Sequence, residues 1–402
     1  MLAESENVTL LVMESKSNSK HILISAGEAS GDMHAAKLIQ TVQKQHPNIQ
    51  FYGMGASLMQ NAGARLIVNA NELSVIGLLE IITKFKAIKQ AFNIMEKALK
   101  DDKPDLLILV DYPGFNLRLA KAAKKHGIKV LYFISPKVWA WNQRRVKIIK
   151  KYVDIMAVIF PFEVDFYKQF AIPAVFVGNP LLDLTKPKLS REQAIIDFDL
   201  DIKYKTIGLF PGSRMSEIRR LLPVMLEAAK ILKHSNPEVQ FILPQASSIS
   251  REYLNQFLQF SPVEVKVISG QNIDVMQACN AIISASGTAT LEIAIMGIPL
   301  VIIYKTSWLE YLIAKMVIKI PYIGLCNILM QQKIVQELLQ SDATAPKIAY
   351  EINRILNDTN YRQEMLDHLH KTKEVLKNGD RKEITQIIID LIINQRARAI
   401  TP

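Results

Sequence analysis

From His21 onward, short apolar runs alternate with longer stretches in which apolar residues recur every three or four positions. Apolar runs of this length, closed by Gly, Pro or Asp, suit strands buried on both faces; the three-to-four spacing suits helices with one buried stripe. HILISAG (21–27), IQFYGMG (49–55), LLILVDYP (106–113), KVLYFIS (129–135) and DIMAVIF (154–160) read as strands, with helices expected over 33–46, 84–100 and 117–126. The second half repeats the pattern in TIGLFPGSR (206–214), VQFILPQ (239–245), VEVKVIS (263–269), AIISASG (281–287) and PLVIIYK (299–305), with a helix through Leu221–His234. Strands alternating with helices predict βαβ units and parallel sheets, an α/β class. No short internal repeat is present, and two doubly wound domains facing a cleft is the simplest architecture.

The expected boundaries follow composition. Residues 1–20 are polar and serine-rich around a short apolar patch, Val8–Met13, and read as a poorly packed tail; Met1 and Met13 both stand as possible starts. Residues 21–185 form a first domain and 186–345 a second, with Leu182–Tyr204, which contains Pro187 and many charges, as the linker between them. Residues 346–402 read as helical and polar.

At 402 residues, half of them apolar, the chain is long enough for two buried cores. No apolar run is long enough to span a bilayer, and Glu4 and Glu6 stand where a signal peptide carries positive charge. Cys279 and Cys326, far apart, argue against a disulfide framework or a cysteine zinc site, so a reducing cytoplasmic compartment is expected. The net charge of +11 points to an anionic partner: nucleic acid, a phosphorylated substrate or an acidic membrane surface. No basic stripe interleaved with aromatics appears, which disfavours nucleic acid. Residues 72–89 carry Val75, Ile76, Leu78, Leu79, Ile81 and Ile82, more than one helical face, followed by Lys84, Lys86 and Lys89. A buried helix and a membrane-touching surface both fit that segment.

Ligands of open α/β sheets sit beyond the carboxyl ends of the strands, so the loops there carry the candidate chemistry. In PGSRMSEIRRLLP (211–223), Gly212 ends a strand, Ser213 is a candidate helix cap, and Arg214 beside a helix N-terminus suits a diphosphate; an ordinary strand–turn–helix corner is the alternative. SASGTATLEIAIMGIPL (284–300) places Ser286, Gly287, Thr288, Ala289 and Thr290 in a donor-rich turn, with Glu292 in the first helical turn available to a ribose diol or to the backbone as a cap. GEASGD (27–32) has Gly27, Ser30 and Gly31 for close approach. Its Glu28 and Asp32 suit sugar hydroxyls or catalysis better than phosphate, and the spacing is not that of a dinucleotide fingerprint. In DYPGFN (111–116), Asp111 is the candidate general base, with a turn or cap aspartate as the alternative. Trp139 and Trp141 suit stacking on a sugar or the core, while His34 and His126 read as packing or surface histidines.

Together GEASGD, DYPGFN, ISPKVWAWNQRR, VGNPLLD, FPGSRMSEIRRLLP, SGTATLEIAIMGIPLV and YIGLCNIL make the chain resemble the lipid-A-disaccharide synthase family from His21 to about Leu339. Asn179 stands where the family usually has His, which puts an acid/base role there in doubt, and Cys326 where Pro is common. The resemblance implies a GT-B fold whose final helices return to the first domain. It implies an inverting transfer of 2,3-diacylglucosamine from its UDP conjugate to 2,3-diacylglucosamine 1-phosphate, giving a β-1,6-linked disaccharide, with no metal and no cofactor. It further implies a peripheral position on the cytoplasmic face of the inner membrane and a homodimer formed through the C-terminal region. Within it Asp111, Glu28 and Arg214 are the catalytic candidates; Asp32, Asn116 and Asn327 join the substrate-binding set; and Val75, Ile76, Leu78, Leu79 and Ile82 touch the membrane or the acyl chains. DFDLD (197–201) holds an Asp-x-Asp pattern that binds metal in another glycosyltransferase architecture, but it precedes a strand and reads as a solvated turn. Another GT-B enzyme, such as a UDP-sugar epimerase, and a non-catalytic nucleotide-sugar scaffold are the competing expectations.

Overall fold

The structure, a computed structural model, describes residues 19–72, 78–140, 143–308, 311–312 and 320–399. The chain divides into two compact units, Met1–Gly178 with Gly379–Pro402 and Asn179–Asn378.

The first unit is built on a seven-stranded sheet of β1 (Lys20–Ala26), β2 (Ile49–Gly55), β3 (Arg65–Asn69), β4 (Leu106–Val110), β5 (Val130–Phe133), β6 (Ile155–Val158) and β7 (Ala174–Phe176), in the order β3-β2-β1-β4-β5-β6-β7. Every pairing is parallel. The connections carry α1 (Ala29–Gln45), α2 (Ser57–Asn61), α3 (Leu78–Asp101), α4 (Pro113–Lys125), α5 (Val146–Tyr152) and α6 (Pro161–Lys168). Side chains alternate across a strand, so Leu23, Leu107 and Leu109 enter one core and Ile22, Ile24, Leu106, Ile108 and Val110 the other. Both faces are covered, which explains why β4 reads as an unbroken apolar run and β1, from Ile22 to Ala26, as one broken only by the buried Ser25.

The second unit holds α7 (Leu181–Leu184), α8 (Arg191–Asp197) and a six-stranded parallel sheet. Its strands are β8 (Lys205–Phe210), β9 (Val239–Gln245), β10 (Val265–Ser269), β11 (Ala281–Ala285), β12 (Leu300–Tyr304) and β13 (Glu337–Leu339), in the order β10-β9-β8-β11-β12-β13. Around it lie α9 (Met215–Ser235), α10 (Arg251–Leu258), α11 (Asn272–Ala278), α12 (Ala289–Ile295), α13 (Leu325–Met330), α14 (Ala345–Asn357) and α15 (Thr359–Asn378). The last helix, α16 (Ile384–Ala399), returns to the first unit, where Ile387, Ile388, Leu391 and Ile392 join the core beside β1 and β4.

Two expectations about the division need correction. Residues 182–204 are folded into the second unit: Ala194, Ile195 and Phe198 enter its core, and the Asp274 carboxylate accepts from Lys188 N–H at 2.7 Å and Leu189 N–H at 3.0 Å. Of the helices expected to return to the first domain, only α16 does. The stripe Ile348, Ile352 and Ile355 of α14, with Met365 and Leu369 of α15, completes the second core. No helix among the described residues is long and apolar enough to cross a membrane.

In each sheet the connections reverse direction at one point, between β1 and β4 in the first and between β8 and β11 in the second. Such switch points leave a crevice beyond the carboxyl ends of the two central strands. GEASGD and DYPGFN follow β1 and β4; FPGSR and SASGT follow β8 and β11. All four candidate loops therefore stand at switch points.

Candidate functional site

In the first unit, β4 ends in two consecutive left-handed residues, Asp111 at φ +44° and Tyr112 at φ +45°. Neither is glycine, so the conformation costs about 1–3 kcal/mol per residue and persists only where its surroundings impose it. They do so through Asn116, a fully buried residue of α4. Its Nδ2 donates to the carbonyls of Asp111 at 2.8 Å, Val110 at 3.1 Å and Ser25 at 3.3 Å, and its Oδ1 accepts from the Ser25 hydroxyl at 2.6 Å. The buried Tyr132 hydroxyl donates to the same Asp111 carbonyl at 2.6 Å. The Tyr112 ring lies over Gly27: a Cβ built there would stand 2.2 Å from Tyr112 Cδ1.

The Asp111 side chain is thereby turned into a pocket of about 210 Å³, which is also lined by Ser135, Lys137, Arg145, Phe160 and Glu163. Burial, and next the negative charge of Glu28, push its pKa up to about 6, with Lys137 pulling the other way. Glu28, the exposed N-cap residue of α1, makes no capping bond, and Ser30 beside it is exposed. Asp32 is a correction. Its buried carboxylate accepts from the backbone N–H groups of Ala56 at 2.7 Å, Leu58 at 3.0 Å and Met59 at 3.2 Å, and so caps α2 instead of facing a ligand. Asn116 likewise has its side chain engaged with the backbone and positions the base candidate from behind.

One residue of this pocket carried no sequence signal. Glu163 is 1 % exposed, and its carboxylate accepts from the Trp139 indole N–H at 3.0 Å and Phe160 N–H at 3.2 Å. Burial still pushes its pKa up to about 7. Trp139 packs edge-on to Phe162 at 5.1 Å, which makes it a core residue and not a sugar platform; Trp141 lies outside the described residues. Val75 and Ile76 also lie outside them, and of Leu78, Leu79 and Ile82 only the backbone, in α3, is described. His34 is held below the usual histidine range by burial and then by Lys37, and His126 is the exposed C-cap of α4.

In the second unit, Gly212, Ser213, Arg214, Glu217, Ser286, Gly287, Thr288, Ala289 and Glu292 are brought together around a pocket of about 260 Å³. Helix α9 is not capped by Ser213. The Glu217 carboxylate accepts from the N–H groups of Ser213 at 3.0 Å and Arg214 at 3.1 Å and pairs with the Arg214 guanidinium at 3.1 Å. Gly212, at φ +106°, leaves room for it: a Cβ there would lie 2.2 Å from Glu217 Oε2. Arg214 remains 74 % exposed at the pocket mouth. Across the pocket, a Cβ built on Gly287 would meet nothing within 4 Å, and the Glu292 carboxylate, raised above the usual range by burial, has no hydrogen-bond partner among the described residues.

The remaining candidates hold the loop walls. Ser286 Oγ donates to the Ile323 carbonyl at 3.1 Å; Thr290 Oγ1 donates to the Gly287 carbonyl at 2.8 Å and accepts from Leu325 N–H at 3.2 Å. Asn327, expected at the nucleotide, is fully buried. It donates to the Val335 carbonyl at 3.0 Å and Glu337 at 2.8 Å and accepts from Ile334 N–H at 2.9 Å and Val335 N–H at 3.0 Å, which leaves its amide nothing for a ligand. Asn179 Oδ1 accepts from Leu181 N–H at 3.0 Å, and Cys326 is buried with its thiol pushed up to about 12. Asp199 pairs with Lys266 and Asp201 accepts from Lys203 N–H at 2.8 Å, so the Asp-x-Asp stretch is a turn.

The family model described as lipid-A-disaccharide synthetase matches residues 22–389. A lipid-A-disaccharide synthase of Trichlorobacter lovleyi is 48 % identical over 360 residues, which is 90 % of this chain and 94 % of that protein. Among solved structures, UDP-GlcNAc 2-epimerase from Neisseria meningitidis bound to UDP-GlcNAc superposes with a TM-score of 0.61 at 14 % identity, covering 93 % of this chain and 100 % of that one. MurG of Acinetobacter baumannii superposes at 0.55 and 16 % identity, covering 93 % and 99 %. These two likenesses establish the GT-B fold alone.

Proposed function

The chain belongs to the lipid-A-disaccharide synthase family of glycosyltransferases, and from that premise we propose that it joins two diacylated glucosamine units. The donor is UDP-2,3-diacylglucosamine and the acceptor 2,3-diacylglucosamine 1-phosphate. Asp111 takes the proton of the acceptor 6-hydroxyl as that oxygen attacks the anomeric carbon. The bond from that carbon to the diphosphate oxygen breaks, UDP departs, and the configuration inverts. The observation that carries this reading is Asp111: a carboxylate held at a switch point in a strained backbone, with its pKa pushed up to about 6. A base in that range is still ionised at neutral pH yet accepts a proton more readily than an ordinary aspartate. Glu28 supports the base by its charge.

The departing diphosphate gathers negative charge, which Arg214 and the N-terminus of α9 meet without a metal ion. Gly212 and Gly287 admit the backbone closely, Ser213 and Thr288 line the same pocket, and the unpartnered Glu292 suits the ribose hydroxyls. The apolar segment 72–89 rests on the cytoplasmic face of the inner membrane, where both lipids reside, and the protein works as a homodimer. A detergent-micelle assay with both lipids and a chelator tests the reading. Disaccharide and UDP should form with wild type and be lost in Asp111→Asn; no product from wild type that still binds UDP sinks the assignment.

A further inference from the structure

The chain's positive charge is not evenly spread. Between Pro113 and Tyr152 there are eleven Lys and Arg residues and no Asp or Glu, a local charge that equals the +11 of the whole protein. Asp154, just beyond, answers two of them, Lys124 at 2.5 Å and Lys129 at 3.3 Å. Arg118 and Lys121 have no carboxylate partner among the described residues. They stand three residues apart on α4, and so on one face of it. That face borders a second pocket of the first unit, about 390 Å³, completed by Leu117, Arg145, Ile148 and Tyr152. Its floor is apolar, with Leu117 buried and Ile148 40 % exposed, while its rim is cationic. Pro113 and Arg145 line both this pocket and the one that holds Asp111, so the two adjoin.

We propose that this groove between α4 and α5 holds the phosphate of the sugar-lipid acceptor, on Arg118, Lys121 and Arg145, and lays part of its lipid over Leu117, Ile148 and Tyr152. The inference rests on the reading above, which supplies an acceptor that is both a phosphomonoester and a lipid. A phosphomonoester carries up to about two negative charges and several strong acceptor oxygens, which guanidinium groups bind bidentately. An apolar floor beneath a cationic rim matches such a molecule better than it matches a bare anion. The groove shares Pro113 and Arg145 with the pocket that Asp111 lines, so a lipid phosphate held in it brings the acceptor sugar next to the carboxylate that must take its hydroxyl proton.

The test compares initial rates with two acceptors, diacylglucosamine with and without its 1-phosphate, in the same detergent micelles. Wild type and an Arg118→Gln/Lys121→Gln double variant are assayed, with thermal unfolding and UDP affinity measured on each. Both side chains are exposed, and the two single variants extend the series should the double variant melt early. Wild type should favour the phosphorylated acceptor in kcat/KM by roughly tenfold or more, the scale of one or two charge-assisted hydrogen bonds. In the variant that ratio should collapse toward one while UDP affinity holds. A ratio that survives in the folded variants, or that is absent from wild type, overturns the phosphate site and leaves the glycosyltransferase reading standing. A surviving ratio together with weakened binding to phosphatidylglycerol vesicles assigns these cations to the membrane surface instead. No disaccharide from wild type with either acceptor overturns both.

Discussion

The side-chain amide of Asn116 donates to the main-chain carbonyl of Asp111 at 2.8 Å, so one buried residue of α4 fixes the backbone of the residue that faces the pocket. Because the same nitrogen also reaches the Val110 and Ser25 carbonyls, Asn116 ties the ends of β4 and β1 together across the switch point. Asn116→Ala removes the donor and strands these buried groups, and should lower stability by about 2–4 kcal/mol in urea unfolding. Turnover should fall further than the loss of folded protein explains, with UDP affinity of the folded fraction intact. Unchanged turnover per folded molecule sinks the idea that the clamp positions the base.

Asp111→Asn separates activity from stability. The carboxyl is raised in the folded state, so it favours folding below its unfolded pKa and opposes folding increasingly as pH rises through about 6. Asparagine carries no charge and tolerates the left-handed conformation. At pH 8 the variant should be as stable as wild type or more so, by up to about 3 kcal/mol, while its rate falls about 10²–10⁴-fold. Wild-type kcat/KM should rise with pH along a limb centred near 6. A variant that melts well below wild type at pH 8 contradicts the assignment of burial as the cause.

The contrast at Gly27 is steric. Its missing side chain makes room for the Tyr112 ring, and Gly27→Ala would bring a methyl within 2.2 Å of it. Relief requires Tyr112 to rotate away, taking the strained turn with it. Overpacking of this kind costs about 1–3 kcal/mol, and the expected signature is a lowered melting temperature with a fall in kcat. Gly27→Ala/Tyr112→Ala, which removes the obstructing ring, should recover the stability lost by the single change, and differential scanning calorimetry reads both.

The architecture and the four loops were legible because central strands covered on both faces must be continuously apolar, as LLILV of β4 is. The strands that sequence reasoning missed, β3, β7 and β13, are three to five residues long and lie at the sheet edges, where one flank is unpaired and the apolar run is short. Within the loops, residue type did not separate ligand-facing side chains from those that build the wall. Asp32 and Asn327 look like binding residues, but their partners are backbone N–H groups 24 to 27 and 7 to 8 positions away, visible only once the chain is folded. Glu163 escaped for the same reason: PFEVDFYK reads as an ordinary helix start, and its contact with Trp139 spans 24 residues. The helical character of residues 346–402 was visible, but the apolar stripe of α14 and the core that takes it were not.

At the corner proposed for the diphosphate, Glu217 accepts from the N–H groups of Ser213 and Arg214 and pairs with the exposed Arg214 guanidinium, so it competes with an anion for both. Glu217→Ala should therefore move two properties in opposite directions. Loss of the cap should lower stability by about 0.5–2 kcal/mol. Removal of the competing charge should tighten UDP binding several-fold in calorimetric titration at low salt, with the gain shrinking as salt rises. Weaker UDP binding in the variant would instead make Glu217 the group that orients Arg214.

Glu163 predicts a pH dependence of stability that its neutral counterpart lacks. With its folded pKa pushed up to about 7, it stabilises the fold below its unfolded value and loses that contribution as pH rises through 7. Glu163→Gln keeps the shape but cannot ionise, and it turns one N–H group toward the donors of Trp139 and Phe160, so it should be the less stable protein at pH 5. Asp111 titrates in both proteins and cancels from the comparison. The gap between them should therefore narrow as pH rises from 5, by at most about 1.4 kcal/mol per unit, until the folded carboxyl has ionised above 7. Urea unfolding of the two proteins at pH 5, 6, 7 and 8 measures that slope. A gap that stays constant over the series means that Glu163 is ionised throughout, with the indole and backbone donors outweighing its burial.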